Sequence, residues 1–116
     1  MRHEQADDAA KGWLLGPWNS SLPLSVGFAN AGVDEPHLHL RTTEIYLVAR
    51  GAATIRVDNR TVELSPGEVL VVEPDEAHTF LSSSEDYFHF VLQTPGLAGE
   101  EAHADKRAVG RGRLGL

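Results

Sequence analysis

Hydrophobic residues between positions 24 and 97 occur in short runs separated by turn-forming residues. The runs Ala53–Val57 and Arg60–Leu64 flank Asp58-Asn59, a dipeptide suited to a tight hairpin. About eight such runs follow one another at intervals of about 8 to 12 residues, and none shows the apolar stripe of a helix. This rhythm predicts an all-β domain built as an antiparallel sandwich or barrel.

The two ends of the chain depart from this rhythm. Residues 1–23 begin with a polar stretch and then include Trp13 and Trp18, which we expect to cover an open end of the core or to lie in a subunit interface. Residues 98–116 combine glycine, alanine and charged residues without apolar periodicity. We therefore predict an N-terminal extension over 1–23, one barrel domain over 24–97 and a mobile tail over 98–116.

Composition limits the chemistry and the partners of this chain. It has 116 residues, enough for one domain with its own core, and no cysteine, so a metal site would use only nitrogen and oxygen ligands. No apolar run approaches the roughly 20 residues that cross a bilayer, and the polar start does not resemble a signal peptide. We therefore expect a cytoplasmic protein without membrane contacts. The net charge of −7 disfavours broad contact with nucleic acid.

Basic residues are concentrated near the C-terminus despite the acidic total. The last eleven positions contain Lys106, Arg107, Arg111 and Arg113. Such a cluster either contacts an acidic partner or belongs to a solvated, disordered end. The sequence alone favours the solvated end.

Two histidines, His37 and His39, stand one residue apart in a strand-like segment. Side chains at positions i and i+2 of a strand lie on one face, so both imidazoles can point into the same cavity. Glu44 follows His39 at an odd spacing and would face the opposite way if the strand continued straight. We therefore predict a corner or bulge within residues 40–43.

The segment Glu44–Ala49 is typical of a new strand after that corner. If Glu44 faces the cavity, Tyr46 and Val48 face it too, because they share its parity. The other face of the strand then carries Ile45 and Leu47.

A third histidine, His78, begins another strand-like segment. Together with His37, His39 and Glu44 it makes a set of three imidazoles and one carboxylate that a divalent transition metal can use. Iron, manganese, nickel, copper and zinc all accept such ligands, and affinity alone does not choose among them. The alternative is a group of four polar barrel residues that are hydrogen-bonded to one another around water.

The run from His37 to Glu44, followed after six residues by Gly51, resembles the first conserved motif of the cupin superfamily. That motif is a glycine, a short spacer, His-x-His, three or four residues, Glu, six residues and Gly. Four residues separate Gly32 from His37, one fewer than is usual in the family.

The second cupin motif is a glycine, five residues, Pro-x-Gly, two residues and His. It is matched here from Gly67 to His78, but Glu73 replaces the proline and Asp75 replaces the glycine. Aspartate tolerates the left-handed backbone better than most residues, so we expect the corner at Asp75 to survive.

The resemblance implies a fold, a cofactor and an assembly. The fold is the antiparallel jelly-roll β-barrel, or double-stranded β-helix, and the cofactor is one divalent transition metal inside it. The metal ligands carried over from the family are His37, His39, Glu44 and His78. The family also implies a homodimer, and the apolar residues expected to contribute to its interface are Trp13, Trp18, Ile45 and Leu47.

Two further residues are candidates for acid–base catalysis. Tyr46 shares the parity of Glu44, although a tyrosine that lines a barrel often serves only packing. His89 shares a strand face with Tyr87, whereas Phe88 and Phe90 lie on the other face. If the polar set faces the cavity, His89 is an acid or base near the metal; if the phenylalanines do, it lies at the surface or in an interface.

The functional hypothesis follows from the motif and the resemblance. We expect a metal-dependent enzyme that acts on a small polar organic molecule by dioxygenase-type chemistry, ranked slightly first, or by isomerisation or decarboxylation of an oxygenated acid or sugar. The alternative is a module that binds or senses a small molecule without transforming it. A third reading is a metal-free enzyme that uses Tyr46 and His89.

Overall fold

The computed structural model describes residues 1–116, which form two five-stranded antiparallel sheets. In chain order the elements are β1 (Lys11–Leu15), β2 (Ser25–Ala29), β3 (His37–His39), β4 (Thr43–Arg50), β5 (Ala53–Val57), β6 (Arg60–Leu64), β7 (Val69–Val72), β8 (His78–Ser83), β9 (Phe88–Thr94), α1 (Gly99–Asp105), β10 (Lys106–Ala108) and a 3₁₀ helix, η1 (Arg111–Leu114). The first sheet has the order β1-β2-β9-β4-β7 and the second β10-β3-β8-β5-β6. The predicted all-β antiparallel class is confirmed. No helix is long and apolar enough to cross a bilayer.

The core lies between the two sheets and follows the alternation along β4. Tyr46 and Val48 are buried, whereas Ile45 and Leu47 are only partly covered. Side chains of the second sheet, such as the fully buried Ile55, complete the same apolar cluster. The predicted parity of β4 is therefore confirmed, and it directs Glu44 towards the interior.

Three tight turns have the backbone conformation that their residues favour. Val57 pairs with Arg60 across the two-residue hairpin, whose first turn residue, Asp58, has φ 48°. Asp75 has φ 69°, so the left-handed corner expected at this position is present. Gly51 has φ 73°, and a Cβ there would lie 2.6 Å from the backbone of Tyr87, so only glycine fits.

The N-terminal segment contains a strand that the sequence pattern did not predict. β1 pairs with β2 at the edge of the first sheet, and Trp13 stands opposite Gly27. Trp13 packs over that glycine and contacts the Trp18 ring edge to face, with 6.3 Å between ring centroids. Both indoles remain about half exposed.

Residues 98–116, predicted as a mobile tail, contain regular elements that the sequence pattern did not reveal. They form α1, β10 and η1, and β10 pairs with β3 so that Lys106 stands opposite His39. The pairing uses backbone hydrogen bonds, which need no apolar periodicity. Leu114 is fully buried in a small cluster with Leu38 and Ala77, which attaches the segment to the barrel.

Three of the four basic residues of this segment contact the chain's own acidic and carbonyl groups. Arg111 forms an ion pair of 2.8 Å with Asp34, and Arg113 donates to the Asp75 carbonyl over 3.0 Å. Lys106 binds Glu35. These three side chains are therefore held by contacts within the chain, although each remains between 40% and 51% exposed.

We predict that Leu114→Ala destabilises the whole domain. The substitution empties a fully buried site, and such changes cost about 2 to 5 kcal/mol. Urea denaturation of the purified protein measures this loss as a lower free energy of unfolding. The matched control is Leu116→Ala, which removes an exposed leucine from the same terminus and should leave stability nearly unchanged. Equal effects of the two substitutions would contradict the packed C-terminal segment.

Candidate metal centre

The four residues proposed as ligands converge between the two sheets. His37 and His39 lie on β3, and His78, the first residue of β8, pairs directly with His37. Glu44 approaches from β4 in the other sheet. One potential ligand atom from each residue lies within 4.8 Å of the others. The structure thus brings together all four residues that the sequence singled out.

Two of the imidazoles are oriented by backbone carbonyls. His37 Nδ1 lies 2.6 Å from the Glu35 carbonyl oxygen, and His78 Nδ1 lies 3.0 Å from that of Glu76. Because a carbonyl can only accept, both Nδ1 atoms carry the proton and donate it. In the neutral rings the Nε2 lone pairs are then free to bind a cation.

His39 and His78 each lie between two acceptors. Their Nε2 atoms are 3.1 Å and 2.9 Å from Glu44 Oε1, while Nδ1 of His39 lies 2.8 Å from an oxygen of Asp105. A neutral imidazole has one N–H and satisfies only one acceptor. The other contact needs either a second proton or a cation shared by Nε2 and the carboxylate. The donor set therefore fits a divalent cation.

The charges of the centre follow from burial and mutual contact. Burial raises the pKa of Glu44, but hydrogen bonds and positive charge from His39 and His78 outweigh it and hold this pKa well below its usual value. Burial, with a contribution from His78, lowers the pKa of His37 to about 4. Burial also lowers the pKa of His39, but contacts with Glu44 and Asp105 outweigh it, so the net shift is upward. Glu44 is thus ionised and His37 neutral at neutral pH.

Asp105 is a buried residue of the site that sequence reasoning missed. Its Oδ2 accepts from His39 Nδ1, and its Oδ1 accepts from the backbone N–H groups of Arg41 over 2.6 Å and Thr42 over 3.2 Å. Burial raises the pKa of Asp105, but these hydrogen bonds outweigh it and the net shift is downward. The carboxylate therefore orients His39 and stabilises the corner between β3 and β4. No linear signal connects two residues 66 positions apart.

A cavity of about 480 Å³ opens onto the centre. Its inner wall includes Tyr46, Phe80 and His89, whereas Phe90 is 36% exposed on the outer face. The interpretation that turned Phe88 and Phe90 inward is therefore wrong, and His89 faces the cavity. Arg41, in the corner between β3 and β4, has an exposed side chain that does not line the cavity.

The buried acid–base candidates have defined protonation states. Tyr46 Oη donates to Glu44 Oε1 over 3.3 Å, and burial and the Glu44 charge raise its pKa well above the usual value. Burial lowers the pKa of His89 to about 4 and raises that of Tyr87. Both groups are therefore neutral at neutral pH, and Tyr87 Oη and His89 Nδ1, 2.6 Å apart, share one hydrogen bond.

Fold and site together define a cupin-type protein. The family model of the AraC-like ligand binding domain matches residues 20–113, and the chain belongs to this family. No curated protein matches the sequence.

Solved structures support the same fold class. Streptomyces Pac13, solved with uridine, is 15% identical to this chain, and the match covers 91% of this chain and 83% of Pac13 with a TM-score of 0.69. Pac13 is described as a nucleoside dehydratase. A Klebsiella pneumoniae protein with a double-stranded β-helix domain is 16% identical over 92% and 90%, with a TM-score of 0.64. A Bacteroides fragilis cupin is 24% identical over 85% and 92%, with a TM-score of 0.62. These similarities confirm the predicted jelly roll.

We predict that Asp105→Asn weakens divalent metal binding about 10- to 100-fold, the usual cost of losing a partner of a ligand histidine. The amide keeps an oxygen for the backbone donors but presents N–H groups to His39, which favours the tautomer whose Nε2 lone pair is blocked by a proton. Competition with a fluorescent chelator measures the affinity, and circular dichroism checks folding.

The control for this change is Asp8→Asn, which removes an exposed carboxylate far from His39 in sequence and should leave the affinity unchanged. Wild-type affinity in a folded Asp105→Asn protein would contradict the orienting role.

Proposed function

We propose that this protein is a metal-dependent cupin enzyme that performs acid–base chemistry on a small oxygen-rich organic molecule. The observation that carries the proposal is the convergence of His37, His39, His78 and Glu44, with two imidazoles that each face two acceptors. A divalent metal bound by these four residues supplies Lewis-acid polarisation of substrate oxygen atoms.

The neighbouring side chains support proton transfer beside such a metal. Tyr46 stays protonated and can donate a hydrogen bond to a substrate oxygen. His89 lines the same cavity, its ring is held by the hydrogen bond between Nδ1 and Tyr87 Oη, and its low pKa makes it a neutral imidazole that can accept a proton from substrate. Isomerisation, decarboxylation and elimination all need such donors and acceptors, and Pac13 provides an example of dehydration on this fold. This favours acid–base chemistry over the dioxygenase class that the sequence ranked slightly first.

A non-catalytic role is the second candidate. The family to which the chain belongs is described as ligand-binding, which favours a module that senses a small molecule. Such a module would bind ligand in the same cavity and return it unchanged. A cytoplasmic location and a lack of nucleic-acid contacts remain predictions from composition.

Metal binding is the first test of the proposal. Equilibrium dialysis against Fe(II), Mn(II), Ni(II), Cu(II) or Zn(II), followed by elemental analysis, should give about one bound metal per chain for a four-ligand site. His78→Gln should abolish tight binding because it removes a buried ligand. His103→Gln, which changes an exposed histidine on α1, should retain it. Equal metal content in the two variants would contradict the site.

Turnover separates the functional classes within the same test. Metal-loaded protein is incubated with hydroxy acids, keto acids and sugars under argon and under air, and products are followed by NMR. Product under argon supports acid–base chemistry, whereas product coupled to dioxygen uptake supports a dioxygenase and overturns the proposal. Tyr46→Phe and His89→Gln should each lower kcat about 10²- to 10⁴-fold while metal content is unchanged. Ligand binding without product would support the sensing module.

We also propose that the chain forms a homodimer through the outer face of its first sheet. Cross-strand pairs place Ile45 beside Val71, and Leu47 beside Val69 and Phe90. Of these, Val69, Val71 and Phe90 are exposed, and together the five residues make a contiguous apolar surface. Trp13 and Trp18 were also expected to contribute; Trp13 lines the cavity, and both indoles line a second pocket beside it.

Val71→Lys tests this assembly, because it sets a charge in the middle of the apolar surface. Light scattering after size exclusion should give a dimer for the wild type and a monomer for the variant. Leu22→Lys changes a leucine of similar exposure outside the sheet and should stay dimeric. A monomeric wild-type protein would overturn the dimer.

A further inference from the structure

The two lysines of the chain, Lys11 and Lys106, both line the cavity that leads to the metal centre. They bind opposite oxygens of one carboxylate: Lys106 Nζ lies 2.5 Å from Glu35 Oε1, and Lys11 Nζ lies 3.6 Å from Glu35 Oε2. All three side chains are between 40% and 59% exposed, so they form the mouth of the cavity rather than its interior. We call these three residues the lysine mouth.

Two residues of the lysine mouth, Lys106 and Glu35, are next to proposed metal ligands through the backbone. Lys106 stands opposite His39 in the pairing of β10 with β3. Glu35 is two residues before His37, and its backbone carbonyl accepts from His37 Nδ1. Lys11 approaches from β1, the edge strand of the other sheet. Both ammonium groups therefore border the same cavity as the proposed metal ligands.

The charge of the lysine mouth is opposite to that of the chain as a whole. Two ammonium groups face one carboxylate, which leaves a surplus positive charge in a protein of net charge −7. A positive site at the mouth of a cavity with low-dielectric walls raises the local concentration of anions.

Nearby arginines are occupied elsewhere. Arg111 binds Asp34, Arg113 binds the Asp75 carbonyl, and Arg56 donates to the Leu114 carbonyl. The two lysines are therefore the cationic side chains of the cavity wall. The contacts with Glu35 also show that the two ammonium groups are close enough to bind one carboxylate together.

We propose that Lys11 and Lys106 form a subsite for a carboxylate of the substrate, whose other oxygen-bearing end reaches the metal centre. The substrate class is then a small organic acid with a second polar group, such as a dicarboxylate or a hydroxy or keto acid. The incoming carboxylate competes with Glu35 for the two ammonium groups. This inference rests on the proposed function, since the second end of the substrate needs the metal.

The test compares succinate with succinamate, which has nearly the same size but one carboxylate fewer. Calorimetric titration of Zn(II)-loaded wild-type protein should show about tenfold tighter binding of succinate, the effect of one charge-assisted contact. Lys106→Gln and Lys11→Gln should each reduce this preference. Arg107→Gln removes the same charge from the next residue of β10, outside the cavity wall, and should keep it.

Glu35→Gln distinguishes an anion subsite from a merely structural ion pair. Because this variant loses the competing carboxylate, it should bind succinate more tightly than the wild type. If the ion pair is only structural, Glu35→Gln and Lys106→Gln should instead weaken succinate binding to the same extent. The amide variant keeps the backbone carbonyl that orients His37.

The outcomes separate this inference from the proposed function. If Zn(II) binds but the succinate preference is absent, or is equal in Lys106→Gln and Arg107→Gln, the carboxylate subsite is overturned and the metal enzyme stands. If inorganic phosphate binds at least tenfold tighter than succinate and loses its affinity in Lys106→Gln, the carboxylate assignment is overturned in favour of a phosphate ester. If the wild type takes up no metal, both proposals are overturned.

Discussion

A single buried carboxylate, Glu44, connects the two sheets electrostatically. It projects from the first sheet towards imidazoles of the second, and its Oε1 contacts both His39 and His78. A buried ionised carboxylate is costly unless its oxygens are matched by donors or cations. Gln93 donates to its other oxygen over 3.0 Å. The site is thus built around a negative charge that the imidazoles alone satisfy only by taking up protons.

The same constraint explains why the C-terminal segment belongs to the site. β10 adds an outer strand beside β3, and the helix before it delivers Asp105 to the far side of His39. Two carboxylates then hold one imidazole from both sides. Because Asp105 also binds the backbone at Arg41 and Thr42, the corner that redirects the chain from the histidines to Glu44 depends on it.

Polarity changes along the cavity in a way that suits a small acidic molecule. The interior combines the metal ligands with buried donors such as Tyr46 and His89, which lie within an apolar wall that includes Phe80 and Val91. The mouth is more exposed to solvent and contains Lys11 and Lys106. The proposed carboxylate binding at the mouth and the proposed chemistry in the interior are therefore assigned to residues from different strands, so the first can change without alteration of the second.

Local patterning determined much of this protein in advance. The alternation of side chains along β4 was enough to predict which of them point inward. The spacing of His37, His39, Glu44 and His78 was enough to identify the donor set from the sequence. Tertiary structure decided the rest: which face of β9 is interior, and therefore the place of His89, and how Asp105 and Lys106 reach the site. These depend on strand pairing through backbone hydrogen bonds between distant segments, and such pairing leaves no periodic trace in the sequence.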